Sequence, residues 1–388
     1  MQIANCPIQR SPVGRGLWDR PRPAVVLLLA AILAAVTGCD DPQPIRIGFV
    51  GGLSGRSADI GEVSRNAVQI AVQDVNSAGG IDGRPIELLV RDDEGEPQVA
   101  ADAVRALHDA GVTAIIGPNT SVVAAGMLPA IDELEVVTIS PTASSLAFVD
   151  LDDFLLRISW TTQDNARIYA RHYADLRLTR IAAAIDMDNR VFSESWLQEF
   201  SSAFADLGGK VVATDLFDAH AARGYSDTAR RLLDSDPEAI LLIANSVDTA
   251  QLAQQVRKLD GEVLLIAAEW AASERLLYLG GKAIDGLELV QSYNRNDTSP
   301  GYLRFRDSYR AQFQQEPGYS GVAAHDAATV LFRALQGNAS LQGPALKAAL
   351  LDLPPVAGLQ QPVKFNRFGD AQRRAFFVQV RDGRFVAE

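Results

Sequence analysis

From Ile45 onward the chain repeats one unit: a short apolar run, a turn marked by glycine or proline, and a helix-length segment with one apolar face. This alternation constrains the fold more than any other feature. Strands joined by amphipathic crossovers pair in parallel, and the resulting sheet must be covered on both faces. Ile45 to Val50 (IRIGFV) reads as a buried strand before the turn Gly51-Gly52-Leu53-Ser54-Gly55. The segment from about Ile60 to Ala78 spaces Val63, Ala67, Ile70, Ala71 and Val75 for one helical face and stops at Gly79-Gly80. Ile86 to Arg91 and Gln98 to Ala110 repeat the pattern, and a second set runs from Ile181 to Ala267. About ten such units exceed one comfortable sheet. The prediction is an α/β protein of two parallel-sheet lobes. Later segments change character. Tyr302, Phe305, Tyr309 and Phe313 form an aromatic stripe suited to a core face. Gly321 to Leu335 reads as an apolar helix, and Val363 to Asn366 with Ala375 to Val380 read as closing strands.

The stretch Ala114 to Ser145 carries the clearest functional signal. One apolar strand stops at Gly117-Pro118, and Asn119, Thr120 and Ser121 open a small-residue helix to about Glu133. A second strand, Val136 to Ile139, stops at Ser140-Pro141, where Thr142, Ser144 and Ser145 open a further short helix. Free backbone N–H groups and the positive end of a helix favour an anion at such places. A single serine there needs no ligand, since it serves as an N-cap. Two on neighbouring strands point toward a carboxylate-sized ligand.

The first 38 residues are a targeting segment rather than fold. Arg10, Arg15, Arg20 and Arg22 precede the apolar stretch Ala24 to Ala35, and Val36-Thr37-Gly38-Cys39 ends it as a lipoprotein cleavage site does. A transmembrane anchor would need about 20 apolar residues. Cys39 is therefore the expected lipidation site, and 39–44 the linker. Cys6 leaves with the signal, so the mature chain has no disulfide. The net charge of −12 disfavours nucleic acid and anionic membrane surfaces as partners.

Catalytic and cofactor motifs are missing. The four histidines are scattered singly, which gives a metal site no support. Gly318-Tyr319-Ser320-Gly321 lacks the spacing of a nucleophile elbow, and Gly51 to Gly55 lacks that of a phosphate-binding loop. Asp92-Asp93-Glu94 reads as a solvated loop edge. An exported hydrolase would need a base beside a nucleophilic serine, and no such pair is readable. No enzyme activity and no cofactor are expected.

The segments IRIGFVGGLSG, NSAGGIDGRPIELLVRDDEGEP, IIGPNTS and TISPTASS, in this order and spacing, resemble the leucine/isoleucine/valine-binding protein family, the type I periplasmic solute-binding proteins of ABC transporters. The resemblance runs from Ile45 to about Val386. It implies two α/β lobes joined by a three-crossing hinge, with the ligand in the cleft between them. By analogy the crossings fall near Thr161, Gln291 and Asp370. Lobe 1 is then 45–160 plus 292–369, and lobe 2 is 161–291 plus 370–388. Residue by residue, the resemblance implies that Ser121 binds an amino-acid carboxylate. Ser144, 23 positions on, binds with its hydroxyl, and Thr142 through its backbone. Glu269, ending LLIAAE, corresponds to the acid that receives the ligand ammonium, although it could equally cap a helix beside Trp270 and Ser273.

The chain departs from the family at several places. Ile60-Gly61 stands where an aromatic often precedes the glycine, and Phe192 takes the place of a covering tyrosine. Asn245 or Ser246 aligns with another aromatic contact, and Gly95 and Thr120 occupy the places of a disulfide found in some members. These changes leave the carboxylate and ammonium contacts intact and open the side-chain preference. The expected function is an extracytoplasmic lipoprotein, a monomer that binds an amino acid or small polar solute and delivers it to a permease. The alternative is a sensory receptor on the same fold for an amide, urea or organic acid.

Overall fold

The computed structural model describes residues 42–218 and 224–387, so the expected leader and the expected lipidation site Cys39 lie outside the described residues. Strands β1 (Ile45–Gly51), β2 (Ile86–Asp92), β3 (Ala114–Ile116), β4 (Thr138–Ser140) and β5 (Leu155–Arg157) alternate with helices α1 (Ala58–Ser77), α2 (Pro97–Asp109) and α3 (Ser121–Glu133). They form one parallel sheet in the order β2-β1-β3-β4-β5. The chain then builds α4 (Thr162–Asp175), β6 (Arg180–Asp186), α5 (Arg190–Asp206), β7 (Lys210–Phe217), α6 (Tyr225–Leu233), β8 (Ala239–Ile243), α7 (Ser246–Leu259), β9 (Leu264–Ala267), α8 (Glu274–Gly280) and β10 (Glu288–Gln291). Helices α9 (Pro300–Phe313) and α10 (Gly318–Leu335) return to pack on α1, followed by α11 (Gly343–Asp352). A small antiparallel pair, β11 (Val356–Ala357) and β12 (Pro362–Val363), precedes β13 (Phe376–Arg381) and β14 (Arg384–Ala387). The second sheet runs β14-β13-β10-β9-β8-β6-β7, with β13 and β14 antiparallel at its edge. The chain thus passes between the sheets three times.

The elements follow from their residues. In the two central strands β3 and β8 every residue is buried, as in a sheet covered on both faces. Two glycines are dictated by close approach. A Cβ on Gly61 would stand 1.9 Å from the Gly52 carbonyl oxygen, so α1 can lie on the β1 turn only without a side chain there. Gly117 has φ +118°, and a Cβ on it would stand 1.8 Å from the Val50 oxygen. The second lobe's core contains a column of stacked rings, Trp196, Phe200 and Phe204, with centroids 5.5 and 5.2 Å apart. Truncating one such buried ring costs about 3–5 kcal/mol. At a crossing, buried Arg157 reaches Asp370 (2.8 Å) and the Ser145 carbonyl (2.8 Å), tying the hinge to the site.

Two local expectations are corrected. Val363 to Asn366 is not a full strand: Pro362–Val363 pairs in the separate small sheet, and Phe365 makes only an isolated bridge to Ala371. The Asn366 side chain instead accepts from the N–H groups of Phe368 and Asp370, folding the backbone into a turn. Asp93 is not at a solvated edge. It is buried, accepts from the Gly95 N–H at 2.8 Å, and burial pushes its carboxyl up to about 6. The Gly318 to Gly321 stretch opens α10. The stripe Tyr302, Phe305 and Tyr309 does face the core. Among the described residues, no helix is long and apolar enough to cross a membrane, and no group of three or more His, Cys, Asp or Glu side chains is placed to hold a metal.

Candidate functional site

β3 and β4 pair in parallel, so their C-terminal ends deliver two hydroxyl-bearing turns to the same edge of the first sheet. The cap of α3 is Thr120, and it makes no side-chain cap bond. Ser121 is the first helical residue rather than the cap, which changes its role. Its Oγ accepts from the N–H groups of Ser144 and Ser145, both at 3.3 Å. With its lone pairs so engaged, the hydroxyl retains a proton to donate. The Thr142 hydroxyl donates to the Asn119 carbonyl at 2.6 Å, locking the two turns together. The further short helix expected after Ser145 is a single 3-10 turn, Leu146–Phe148, that ends at extended Val149. Ser145 caps it by accepting from the Ala147 N–H at 3.2 Å. Of these two turns, α3 alone opens a full helix, and its Val122 N–H donates to the side chain of Asn189, the N-cap of α5, across the cleft at 3.0 Å.

The second sheet contributes Glu269, directly after β9 in a 3-10 turn, Glu269–Ala271. One carboxyl oxygen accepts from the Asn165 amide at 2.8 Å and the other from the Trp196 indole N–H at 2.9 Å. Loss of water around the carboxyl nevertheless pushes its pKa up to about 7. The two donors hold the group in place without fully replacing hydration of its charge. A cation arriving beside it would supply what is missing. Phe192 lies edge-on to Trp270, with centroids 5.7 Å apart, and Tyr319 donates to the Trp270 carbonyl at 3.4 Å.

These groups line one cavity. Of the expected site residues it brings together Ser121, Thr142, Ser144, Phe192 and Glu269. Its empty space, counted out to its open mouth and including open solvent, is about 600 Å3. Asn245 lies outside it. As the cap of α7, its side chain accepts from the N–H groups of Val247 and Asp248 and donates to Asp186 and Asp248. A polar cap fully engaged by its own helix has no group left for the ligand. Sequence reasoning missed Asn165, Trp160, Trp270, Gln291 and Tyr319, all of which line the cavity. Trp160 and Gln291 sit where the chain passes between sheets. Their only signal was position beside an expected crossing.

A second, wider space at the cleft mouth is bounded by Arg56, Asp93, Asp188 and Asn245. Here α1 and the turn before it grip the second lobe. Arg56 pairs with buried Asp248 at 2.5 Å, and Asp59 accepts from the hydroxyls of Ser246 (2.7 Å) and Ser273 (2.5 Å). Burial and the neighbouring Asp248 charge push the Asp186 carboxyl upward.

Comparison with known proteins adds the following. The family model described as periplasmic binding protein matches residues 44–384. Leu/Ile/Val-binding protein BraC3 of Rhizobium johnstonii is 23% identical over 339 residues, covering 86% of this chain and 90% of the relative. The branched-chain amino acid transporter substrate binding protein LivJ of Streptococcus pneumoniae, solved in complex with isoleucine, superposes with a TM-score of 0.82 at 21% identity, covering 89% of this chain and 99% of that one. A solute binding protein of an ABC transporter from R. palustris, solved with benzoate, superposes with a TM-score of 0.80 at 18% identity, covering 89% and 95%.

Proposed function

The chain belongs to the periplasmic binding protein family, and from that premise we propose that it is the extracytoplasmic substrate-binding lipoprotein of an ABC transporter, with an α-amino acid as ligand. The observation that carries this reading is one cavity lined by serine hydroxyls from the first sheet and a poorly solvated carboxyl from the second. The hydroxyls of Ser121 and Ser144 would donate to the ligand carboxylate, with Thr142 presenting its backbone. Glu269, steadied by Asn165 and Trp196, would receive the ammonium. Phe192 and Trp270 would cover the carbon skeleton and exclude water, which strengthens both polar contacts. The isoleucine and benzoate held by two structural relatives share a carboxylate, which supports the hydroxyl end in particular.

The lobes would be 45–160 plus 292–369 and 161–291 plus 370–388, turning on crossings near Thr161, Gln291 and Asp370. Contacts formed only in the shut state, such as Arg56–Asp248 and Asn189 with the start of α3, would couple ligand capture to closure. The closed form would then deliver its ligand to a permease without chemical turnover. The protein would work as a monomer, exported and tethered by lipid on Cys39. Calorimetry and thermal shift against the amino acids and simple carboxylates test the ligand class. Tight binding of at least one α-amino acid is expected, and no binding by any of them would overturn it.

A further inference from the structure

Three buried polar atoms on residues that line the cavity have no partner among the described residues, and two of them sit away from the serine hydroxyls in sequence and on the chain passages between the sheets. The Trp160 indole Nε1–H is buried with nothing to donate to. The Gln291 side chain is 1% exposed, and its Oε1 accepts from nothing. The orientation of that amide is settled by its other end, since Nε2 donates to the Ala272 carbonyl at 3.3 Å. A flipped amide would set oxygen against oxygen. The cavity thus offers an unused donor and an unused acceptor on Trp160 and Gln291, besides the third unpaired atom, Asn119 Oδ1, at the hydroxyl end. Buried polar groups are almost always paired, so each such exception calls for a ligand or water to complete it.

Charge narrows the choice. Glu269 is the one charged side chain in the lining, and the ligand ammonium would occupy it. A second charge on the ligand would be buried without a counter-ion, which is strongly disfavoured. An aliphatic side chain would leave both Trp160 and Gln291 unpaired. Resting on the amino-acid reading above, we propose that the ligand's side chain ends in a neutral group that both accepts and donates a hydrogen bond, a carboxamide fitting best, and that Trp160 and Gln291 select it. The amide oxygen accepts from the Trp160 N–H, and the amide nitrogen donates to Gln291 Oε1. The surrounding Tyr319, Val290 and Trp270 supply the apolar sleeve for the methylenes that carry the amide.

Isosteric pairs test this by calorimetry on the purified protein: asparagine against leucine, and glutamine against 2-amino-5-methylhexanoic acid. In each pair the two side chains share a shape and differ only in hydrogen-bonding ability. The expected result is that the amide member binds about tenfold or more tightly in at least one pair, the cost of one buried unpaired group. Trp160→Phe, which keeps an aromatic ring, though a smaller one, and removes the N–H, and Gln291→Met should each bring that ratio several-fold closer to one. Tighter binding by the aliphatic member in both pairs overturns the inference and leaves the amino-acid reading standing. Unchanged ratios in both folded variants also overturn it. Absence of binding by every α-amino acid would sink both readings together. If a variant fails to fold, the ratios of the native protein decide.

Discussion

If Glu269 receives an ammonium, binding must be linked to protons near neutrality, and the structure sets the scale. With its pKa pushed up to about 7 in the unliganded cavity, the carboxyl is about half protonated at pH 7. An adjacent ammonium favours the ionised form and lowers that pKa. Affinity for a zwitterion is then fully present above about pH 7 and is lost as pH falls through it, by about tenfold per unit. Between about pH 8 and pH 5 the dissociation constant should rise roughly 100-fold. Calorimetry at pH 7 in two buffers of different ionisation enthalpy should read release of about half a proton per ligand. A carboxylate without an amino group should show neither effect, and Glu269→Gln should abolish both for amino acids. Zero proton exchange at pH 7 with flat affinity from about pH 5 to 8 would refute the reasoning. So would an unchanged pH slope in the glutamine variant. The stability of the unliganded protein should move the opposite way. The folded carboxyl holds its proton more tightly than the unfolded chain, whose ordinary value is about 4.3. Stability should therefore fall as pH rises from there to about 7, by at most about 3 kcal/mol and less where cavity water reaches the group.

Other outcomes follow from named contacts. Arg56→Ala removes the partner of fully buried Asp248 across the lobes. Affinity should drop about tenfold through faster release, read by stopped-flow fluorescence; an unchanged dissociation rate would place the pair outside the closure equilibrium. Gly61→Ala would set a Cβ 1.9 Å from the Gly52 carbonyl oxygen, where backbone rather than a flexible side chain must yield. The urea midpoint should fall by the equivalent of about 1–3 kcal/mol. Trp196→Phe keeps an aromatic ring in the column, leaves a small cavity where the indole was, and removes one donor to Glu269. The pH midpoint for ligand binding should shift upward, with a modest fall in melting temperature.

The family and its two-sheet architecture were legible in the sequence because both rest on local order. Apolar runs such as Ile45 to Val50 and helical spacing such as Val63 to Val75 are decided by neighbours a few residues away. The strand ends at Gly117-Pro118 and Ser140-Pro141 were legible for the same reason, and so was the concentration of hydroxyls behind them. What those hydroxyls do was not. A serine beside a strand end reads as a cap, whereas Ser121 became an acceptor for Ser144 and Ser145 only because β4 lies next to β3. Asn245 read as a ligand contact by alignment and lies along the wider space at the cleft mouth, its side chain capping its own helix and donating to Asp186. Asn366 read as part of a strand and makes a turn instead.

The sequence by itself determined the alternation of strands and helices, hence a parallel sheet type and the edge on which the hydroxyl-bearing turns gather. Tertiary structure alone decided which side chains share the cavity. Glu269 in its wall and the two donors that hold it, Asn165 and Trp196, come from a strand end and two helices far apart along the chain, and no periodicity links them. The same holds for Trp160 and Gln291, whose unpaired atoms become visible only once the surrounding walls have removed water from them. Desolvation is a property of the assembled walls. The raised pKa of Glu269 and the hydrogen-bonding demands of the cavity therefore had no counterpart in the order of residues.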